Sequence, residues 1–484
     1  MLAARISTEY PEPQLLIAGE WVSAGGRRTQ PVINPATGET LGELPHATPA
    51  DLDRALDAAS EAFPKWRAVP AFERGRILKR AADLMRERCD AIARIATMEM
   101  GKPVAEARLE VHRSADIFEW YGEEARRTYG RVLAPRAPGQ RFMVTKEPVG
   151  PVAAFGPWNF PTGNPGRKLG AAIAAGCPVI MKPAEEAPVA ALEVARCLLD
   201  AGVPKGVCSI VFGVPSEVST HLLASNVIRK MSFTGSTRVG KQLASLAAQN
   251  MIRTTMELGG HAPVLVFDDV DVERVLDLSV AGKFRNAGQV CVSPTRFYVH
   301  ESIYANFAKG FAARAKALPV GDGLLESSRM GPLAHAGRVP FIEPLIEDAR
   351  RCGAKVLAGG SRRNGPGHFF EPTVLTDIPK EARIMNEEPF GPIALINPFS
   401  TVEDAIAQAN RLPYGLAAYA FTKSAGTSRR VAAEIESGMV GINSFLVSVP
   451  ESPFGGVKDS GHGSEEGIEG LEACLVTKFI TEAE

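Results

Sequence analysis

From Gly150 onward the chain alternates short apolar runs with segments of helical period, and few folds accept such a pattern. PVAAF (151–155) leads through a Pro-rich turn to NPGRKLGAAIAAG (164–176), and PVIMK (178–182) leads to VAALEVARCLLDAG (189–202). CSIVFG (208–213) and SEVSTHLLAS (216–225), then IRKMSFT (228–234) and STRVGKQLASLAA (236–248), repeat the unit before RTTMEL (253–258) closes the series. Strand and helix repeated in this way predict a parallel sheet covered by helices. A second series runs from PVLVF (263–267) to about Thr422. At 484 residues the chain exceeds a single core, so the expected fold class is α/β, with two doubly wound parallel-sheet domains.

Ahead of the alternation, LLIAGEWV and TLGEL (40–44) read as short strands separated by the turn residues Asn34-Pro35 and Thr37-Gly38. Thr48-Pro49-Ala50-Asp51 opens a helix, with Thr48 at the N-cap, Pro49 at N1 and Asp51 at the positive end of the dipole. One long helix is expected over about 71–100, ended by Gly101 and Pro103, and a third over about 104–127. Residues 130–147 read as two extended segments around Pro138-Gly139, and CLVTKFITEAE (474–484) is also strand-like. These pieces are expected either to share one sheet, even across a subunit boundary, or to be a surface hairpin and a frayed tail.

Charge and cysteine usage exclude several function classes. A balance of 54 basic and 55 acidic residues leaves no field to draw nucleic acid or an anionic membrane. The seven cysteines are scattered without C-x-x-C, and the eight histidines show no H-x-x-x-H spacing, which argues against a disulfide framework and a metal site. No run approaches the ~18 apolar residues of a membrane span. MLAARISTEYPEPQLL, interrupted by Glu9, Pro11, Glu12 and Pro13, lacks a secretory apolar core. A cytoplasmic enzyme or binding protein is expected.

Chemistry-bearing residues fall where the strands end, the edge at which sheets of this type bind ligands. Gly235-Ser236-Thr237-Arg238-Val239-Gly240-Lys241-Gln242 nearly matches a phosphate loop, but Gln242 offers no hydroxyl to magnesium. What remains is either a helix N-terminus suited to a phosphate or a packing turn. Lys182 and Glu185 follow the second strand. A carboxylate there accepts from an adenosine 2′-OH and repels a 2′-phosphate, favouring NAD over NADP; alternatively Glu185 caps a helix. In Pro157-Trp158-Asn159-Phe160-Pro161 the Asn amide is either an oxyanion donor or a turn former. Glu257, before Gly259-Gly260-His261, is either a partly desolvated general base or a surface ion-pair partner, and His261 reads as structural. Cys291 in Phe284-Arg285-Asn286-Ala287-Gly288-Gln289-Val290-Cys291 is either a nucleophile or an inert buried thiol.

Taken in order, Asn159, Lys182-Pro183-Ala184-Glu185, Gly235-Ser236-Thr237, Glu257-Leu258-Gly259-Gly260, Gly288-Gln289-Val290-Cys291, Glu388-Pro389-Phe390-Gly391-Pro392 and Pro453-Phe454-Gly455-Gly456 resemble the NAD(P)-dependent aldehyde dehydrogenase superfamily over essentially the whole chain. The resemblance implies a variant Rossmann cofactor domain (1–127 and 148–258), a catalytic domain (259–443), a β-hairpin oligomerisation arm (128–147 and 470–484), and a segment 444–469 packed back on the interface. It implies Cys291 as nucleophile, Asn159 and the Cys291 N–H as oxyanion donors, and Glu257 as the base that activates water. Pro157, Trp158, Lys182, Glu185, Gly235, Ser236, Glu388 and Phe390 match cofactor contacts.

Within the superfamily the chain looks most like succinate-semialdehyde dehydrogenases. Arg167, Arg285 and Ser448 match the residues that hold the substrate carboxylate there, and a bidentate guanidinium suits that task. The other reading makes both arginines helix-surface or structural ion-pair residues. No metal is implied, and the partners expected are a small aldehyde and further copies of the chain, as a dimer or tetramer. Two features depart from the pattern. Cys291-Val292-Ser293 lacks the second cysteine of a redox switch, and Phe445 and Leu446 are expected to line a pocket for a bulkier aldehyde. A non-catalytic relative, a phosphate-loop NTPase and an acyl transferase to coenzyme A are the competing readings.

Overall fold

A computed structural model describes residues 10–483. Residues 1 and 484, where the expected domain limits begin and end, lie outside them, as does the first part of the MLAARISTEYPEPQLL stretch.

Each alternating series forms its own sheet. The first has the order Glu20–Val22, Leu15–Ile17, Cys208–Ile210, Val179–Lys182, Val152–Phe155, Lys230–Thr234, Arg253–Glu257, Gly461–His462. Its central five strands are parallel, and the outer ones run antiparallel. The second has the order Lys355–Ala358, Thr373–Thr376, Ile393–Phe399, Arg296–His300, Pro263–Val266, Ala417–Phe421, Met439–Ile442, parallel except at its first edge. Central parallel strands are buried on both faces, which is why they read as continuous apolar runs rather than alternations. The two sheets carry separate cores, one around Ile180, Met231 and Phe212, the other around Leu265, Phe297 and Ile396.

The first helix, Pro49–Arg67, begins as its sequence predicts. Thr48 Oγ1 accepts from Asp51 N at 3.2 Å, Asp51 Oδ2 accepts in turn from Thr48 N at 2.9 Å, and Arg27 pairs with Asp51 at 2.9 Å. The expected single helix over 71–100 is instead two, Ala71–Glu87 and Cys89–Met100, broken at Arg88 with φ −100° and ψ 9°. No Gly or Pro marks the break. Arg88 is drawn to Asp200 at 2.7 Å, and Cys89 starts a new helix that packs against Val104–Glu124.

The strands Arg131–Leu133 and Gln140–Pro148 are joined by Leu475–Ala483 in one antiparallel sheet within this single chain, with Leu475 opposite Pro148 and Ala483 opposite Gln140. Val132 and Phe479 on this arm are exposed. Among the described residues no helix is long and apolar enough to cross a membrane.

Candidate active site

The helix Val272–Phe284, capped by Asp271, delivers the chain to the Cys291 loop. Asn286 (φ 51°), Ala287 (φ 52°) and Gly288 (φ 70°) then take left-handed conformations in succession, a strain that two non-glycine residues tolerate only where the surroundings hold them. Asn286 N donates to Glu106 at 2.9 Å, and Asn286 Nδ2 donates to the carbonyls of Asn159 and Gln289. Gln289 donates back to Asn286 O and accepts from Ala334 N at 3.0 Å. A Cβ on Gly288 would lie 2.0 Å from Gly391 O, so only glycine admits the 388–392 loop beside the cysteine. Tyr419 Oη fixes the far side through Val292 O at 2.7 Å. Cys291 itself is half-buried, while five of the other cysteines are buried. Burial pushes its thiol up to about 12; Arg167 pulls it down, and Glu388 and Glu257 push it further up.

On one side stands Asn159, at the carboxyl end of Val152–Phe155. Its Nδ2 donates to Gln289 O at 3.1 Å, two residues from the thiol. The turn that carries it is over-determined. Lys102 Nζ donates to Asn159 O at 2.8 Å and forms a buried ion pair with Glu110. Glu110 in turn accepts from Thr162 N at 2.8 Å, Thr162 Oγ1 at 2.9 Å and Gly163 N at 3.0 Å, capping the Gly163–Ala175 helix from the neighbouring Val104–Glu124 helix.

On the other side stands Glu257, at the end of Arg253–Glu257. Its carboxylate is buried, and neither oxygen has a hydrogen-bond partner among the described residues. Burial therefore holds its carboxyl well above the usual range; Glu465 adds to this, and Lys168 and Arg167 oppose it. Lys168 is itself bound to Glu465, Ser232 and Thr234.

Of the residues matched to cofactor contacts, Trp158, Lys182 and Ser236 lie at the carboxyl ends of strands of the first sheet, and Glu388 and Phe390 lie on the loop before Ile393–Phe399 of the second. Trp158 stands edge-on to Phe390, with ring centroids 5.6 Å apart, and to His335 at 5.5 Å. Phe390 is held at φ 43°. The Glu388 carboxylate lies where a Cβ on Gly259 would be, 2.7 Å away, and burial pushes it up to about 8. Ser236 caps the Thr237–Gln249 helix and is exposed, and Gly235 N donates to Glu257 O at 3.0 Å. Lys182 and Glu185 form an ion pair with each other. Pro157 precedes Trp158 at the same rim. The Ser236-capped N-terminus of the Thr237–Gln249 helix, an aromatic pair shared between the two sheets' loops and a carboxylate beside Gly259 fit a dinucleotide. Lys241 is committed to Asp459 at 2.9 Å and is not free for a triphosphate.

The three residues matched to a substrate anion lie together with two that sequence reasoning missed. Arg167 Nε pairs with Glu466 at 2.8 Å, and Arg167 Nη2 donates to Ser448 Oγ at 3.1 Å. Ser448 donates to Glu466 at 3.0 Å and also accepts from Arg113. Arg285 is exposed, 5.9 Å from the Phe160 ring. Arg167 thus has a structural ion pair as well as a place beside the thiol. Phe445 packs against Tyr419 and Phe421 at 4.8 and 5.0 Å, while Leu446 is 66% exposed, so the two do not jointly line a pocket. Phe445 is drawn instead into the second core. His261 is buried, with Nε2 2.9 Å from Ile384 O, as expected of a structural residue. Arg113 and Glu466 carry no local signal: an arginine on an amphipathic helix reads as a solvated charge.

Comparison with known proteins gives one consistent picture. The aldehyde dehydrogenase family model matches residues 21–480. A 4-(hydroxymethyl)benzenesulfonate dehydrogenase of Comamonas testosteroni is 50% identical over 471 residues, covering 97% of this chain and 98% of that one. An NADP(+) succinate-semialdehyde dehydrogenase of Escherichia coli is 42% identical over 467 residues, covering 96% and 97%. The crystal structure of a succinate-semialdehyde dehydrogenase from Burkholderia pseudomallei superposes with a TM-score of 0.95 at 43% identity, over 98% of each chain.

Proposed function

The chain belongs to the aldehyde dehydrogenase family, and on that premise we propose that it oxidises an aldehyde with an anionic far end to the carboxylic acid, succinate semialdehyde being the first candidate. The observation that carries this reading is that Arg113 and Arg167 meet on the one hydroxyl of Ser448, with Arg167 acting electrostatically on the Cys291 thiol and Arg285 exposed. Relatives named for a benzenesulfonate and for succinate semialdehyde both support a negative charge on the substrate.

Cys291 sulfur adds to the carbonyl carbon as its proton passes to solvent. Asn159 Nδ2 and the Cys291 N–H hold the resulting oxyanion. Trp158, Phe390 and Glu388 would hold a nicotinamide, which when bound would supply the hydride acceptor for conversion of the Cys291 adduct to a thioester. Glu257 then takes a proton from water as its oxygen attacks the thioester, and the acid leaves with the cysteine sulfur restored. A water-activating carboxylate favours hydrolysis over transfer to coenzyme A. Lys182, Glu185, Gly235, Ser236 and Pro157 would hold the adenosine and phosphate side. Glu185 favours NAD, and its ion pair with Lys182 limits that preference. The exposed Val132 and Phe479 and the open edge at Arg131–Leu133 support assembly of the cytoplasmic enzyme as a dimer or tetramer through the arm.

The test is kcat/KM with NAD and with NADP for succinate semialdehyde, glutarate semialdehyde, 4-formylbenzenesulfonate, benzaldehyde and a neutral aliphatic aldehyde. The anionic aldehydes should lead. Equal values for charged and neutral aldehydes overturn the anionic reading, and no reduction of either nucleotide overturns the reaction.

A further inference from the structure

Arg113 lies on the Val104–Glu124 helix, and its guanidinium turns inward to a polar cluster. It donates to Ser448 Oγ and lies 3.6 Å from Glu466. Arg167 reaches the same hydroxyl and the same carboxylate from the Gly163–Ala175 helix. Glu466 is fully buried and held at φ 58°, so it is a fixed internal counter-ion, shared by two guanidiniums. One carboxylate between two arginines leaves one positive charge, and Arg285 adds a second. Glu106, 2.9 Å from Asn286 N, is the acid facing Arg285, and burial pushes it up to about 7, so it offsets that charge only in part. Burial also pushes the Arg113 guanidinium down; Glu466 opposes this, and Arg167 and Arg285 press the same way as burial, which places the three cations within reach of one another.

The donors of these groups are not used up. A guanidinium has five N–H donors. Arg113 spends one on Ser448, and among the described residues Arg285 makes neither a side-chain hydrogen bond nor an ion pair. The Arg113 side chain is 30% exposed and that of Arg167 is 12% exposed, so Arg113 is the more accessible of the two. A planar carboxylate has two oxygens, which Arg167 and Arg285 suffice to meet. A third guanidinium gains a partner only from a third oxygen, and a sulfonate supplies one out of plane.

We propose that Arg113 is a third specificity-determining guanidinium of this site and that the anionic end it fits best is a sulfonate. It rests on the anionic-substrate reading above. The experiment compares kcat and KM for 4-formylbenzenesulfonate, 4-formylbenzoate and benzaldehyde in the wild type, Arg113→Gln and Arg113→Lys. Arg113→Gln should lower kcat/KM about 100-fold for the sulfonate and about 10-fold for the carboxylate, mainly through KM, with benzaldehyde changed less than about twofold. Arg113→Lys should recover part of the loss, because it restores charge but not the fork. A loss shared equally by benzaldehyde, a carboxylate loss matching or exceeding that of the sulfonate, or no loss at all overturns the proposal. Arg167→Gln and Arg285→Gln separate it from its premise. If they weaken both anionic aldehydes selectively while Arg113→Gln does not, only the role of Arg113 fails. If none of the three variants discriminates charge, the anionic reading itself fails.

Discussion

Glu110 and Glu257 are two carboxylates of similar burial, 5% and 2% exposed. Glu110 has an ammonium ion and three N–H or O–H donors. Glu257 has none. Full satisfaction makes Glu110 a structural anchor: it fixes the turn that carries Asn159 and has no capacity left for chemistry. Isolation leaves Glu257 costly and basic, its carboxyl holding a proton well above the usual range. A buried acid is thus assigned to geometry or to proton transfer by its partners, not by its depth.

The widest separation between the two should come from Glu257→Gln. Turnover should fall about 10²–10⁴-fold while one equivalent of reduced nucleotide still forms per active site, because the thioester no longer hydrolyses. Thermal stability should hold or rise, since a buried unpartnered carboxyl has been removed. Steady turnover without a burst would remove Glu257 as the base.

Glu110→Gln should show the converse. Leaving Lys102 buried without its counter-ion should cost about 3–5 kcal/mol, read as a lower denaturation midpoint, with a smaller fall in kcat as Asn159 loses its fixed position. Replacing Lys102 with Met as well should return part of the stability but not the kcat. If Glu110→Gln left stability unchanged, its description as an anchor would be wrong.

Titration gives a subtler contrast. The folded-state value for Glu257 is raised above its unfolded value of 4.5, so the folded protein binds the extra proton and stability declines as pH rises from there toward the folded value. Over the same range kcat should climb as the carboxylate forms. The difference in stability between wild type and Glu257→Gln should therefore be pH-dependent; parallel curves would contradict the raised value.

The smallest effect belongs to a third acid, remote from the site. Asp51 is held at about 2, mainly by Arg27, with burial opposing. Its contribution is present above its ordinary value of 3.8 and is lost as pH falls toward 2. Asp51→Asn should cost about 1 kcal/mol at neutral pH, with kcat unchanged. A large loss of activity would show that the capping region communicates with the site.

The fold class was legible because strand and helix periods are local, and the helix at Thr48 because its capping pattern spans four neighbouring positions. Cys291, Glu257 and Asn159 were legible as candidates for a related reason: each lies in a short motif at a strand or helix end. The break at Arg88 was not legible, since the residues around it are good helix formers and the competing bond is to Asp200 on another helix. Nor was the cluster around Ser448, whose link to Arg113 joins residues 335 positions apart.

The amino-acid sequence by itself therefore determined two parallel sheets, the order of the motifs along them, and which side chains stand at the strand ends. Tertiary structure alone decided what each charged group faces: that Glu110 is saturated and Glu257 is bare, that Arg167 shares Glu466 with Arg113, and that Arg285 is left open. Periodicity encodes which face of an element is buried, but pairing energy depends on distances between elements far apart in the chain, and no local pattern carries those distances.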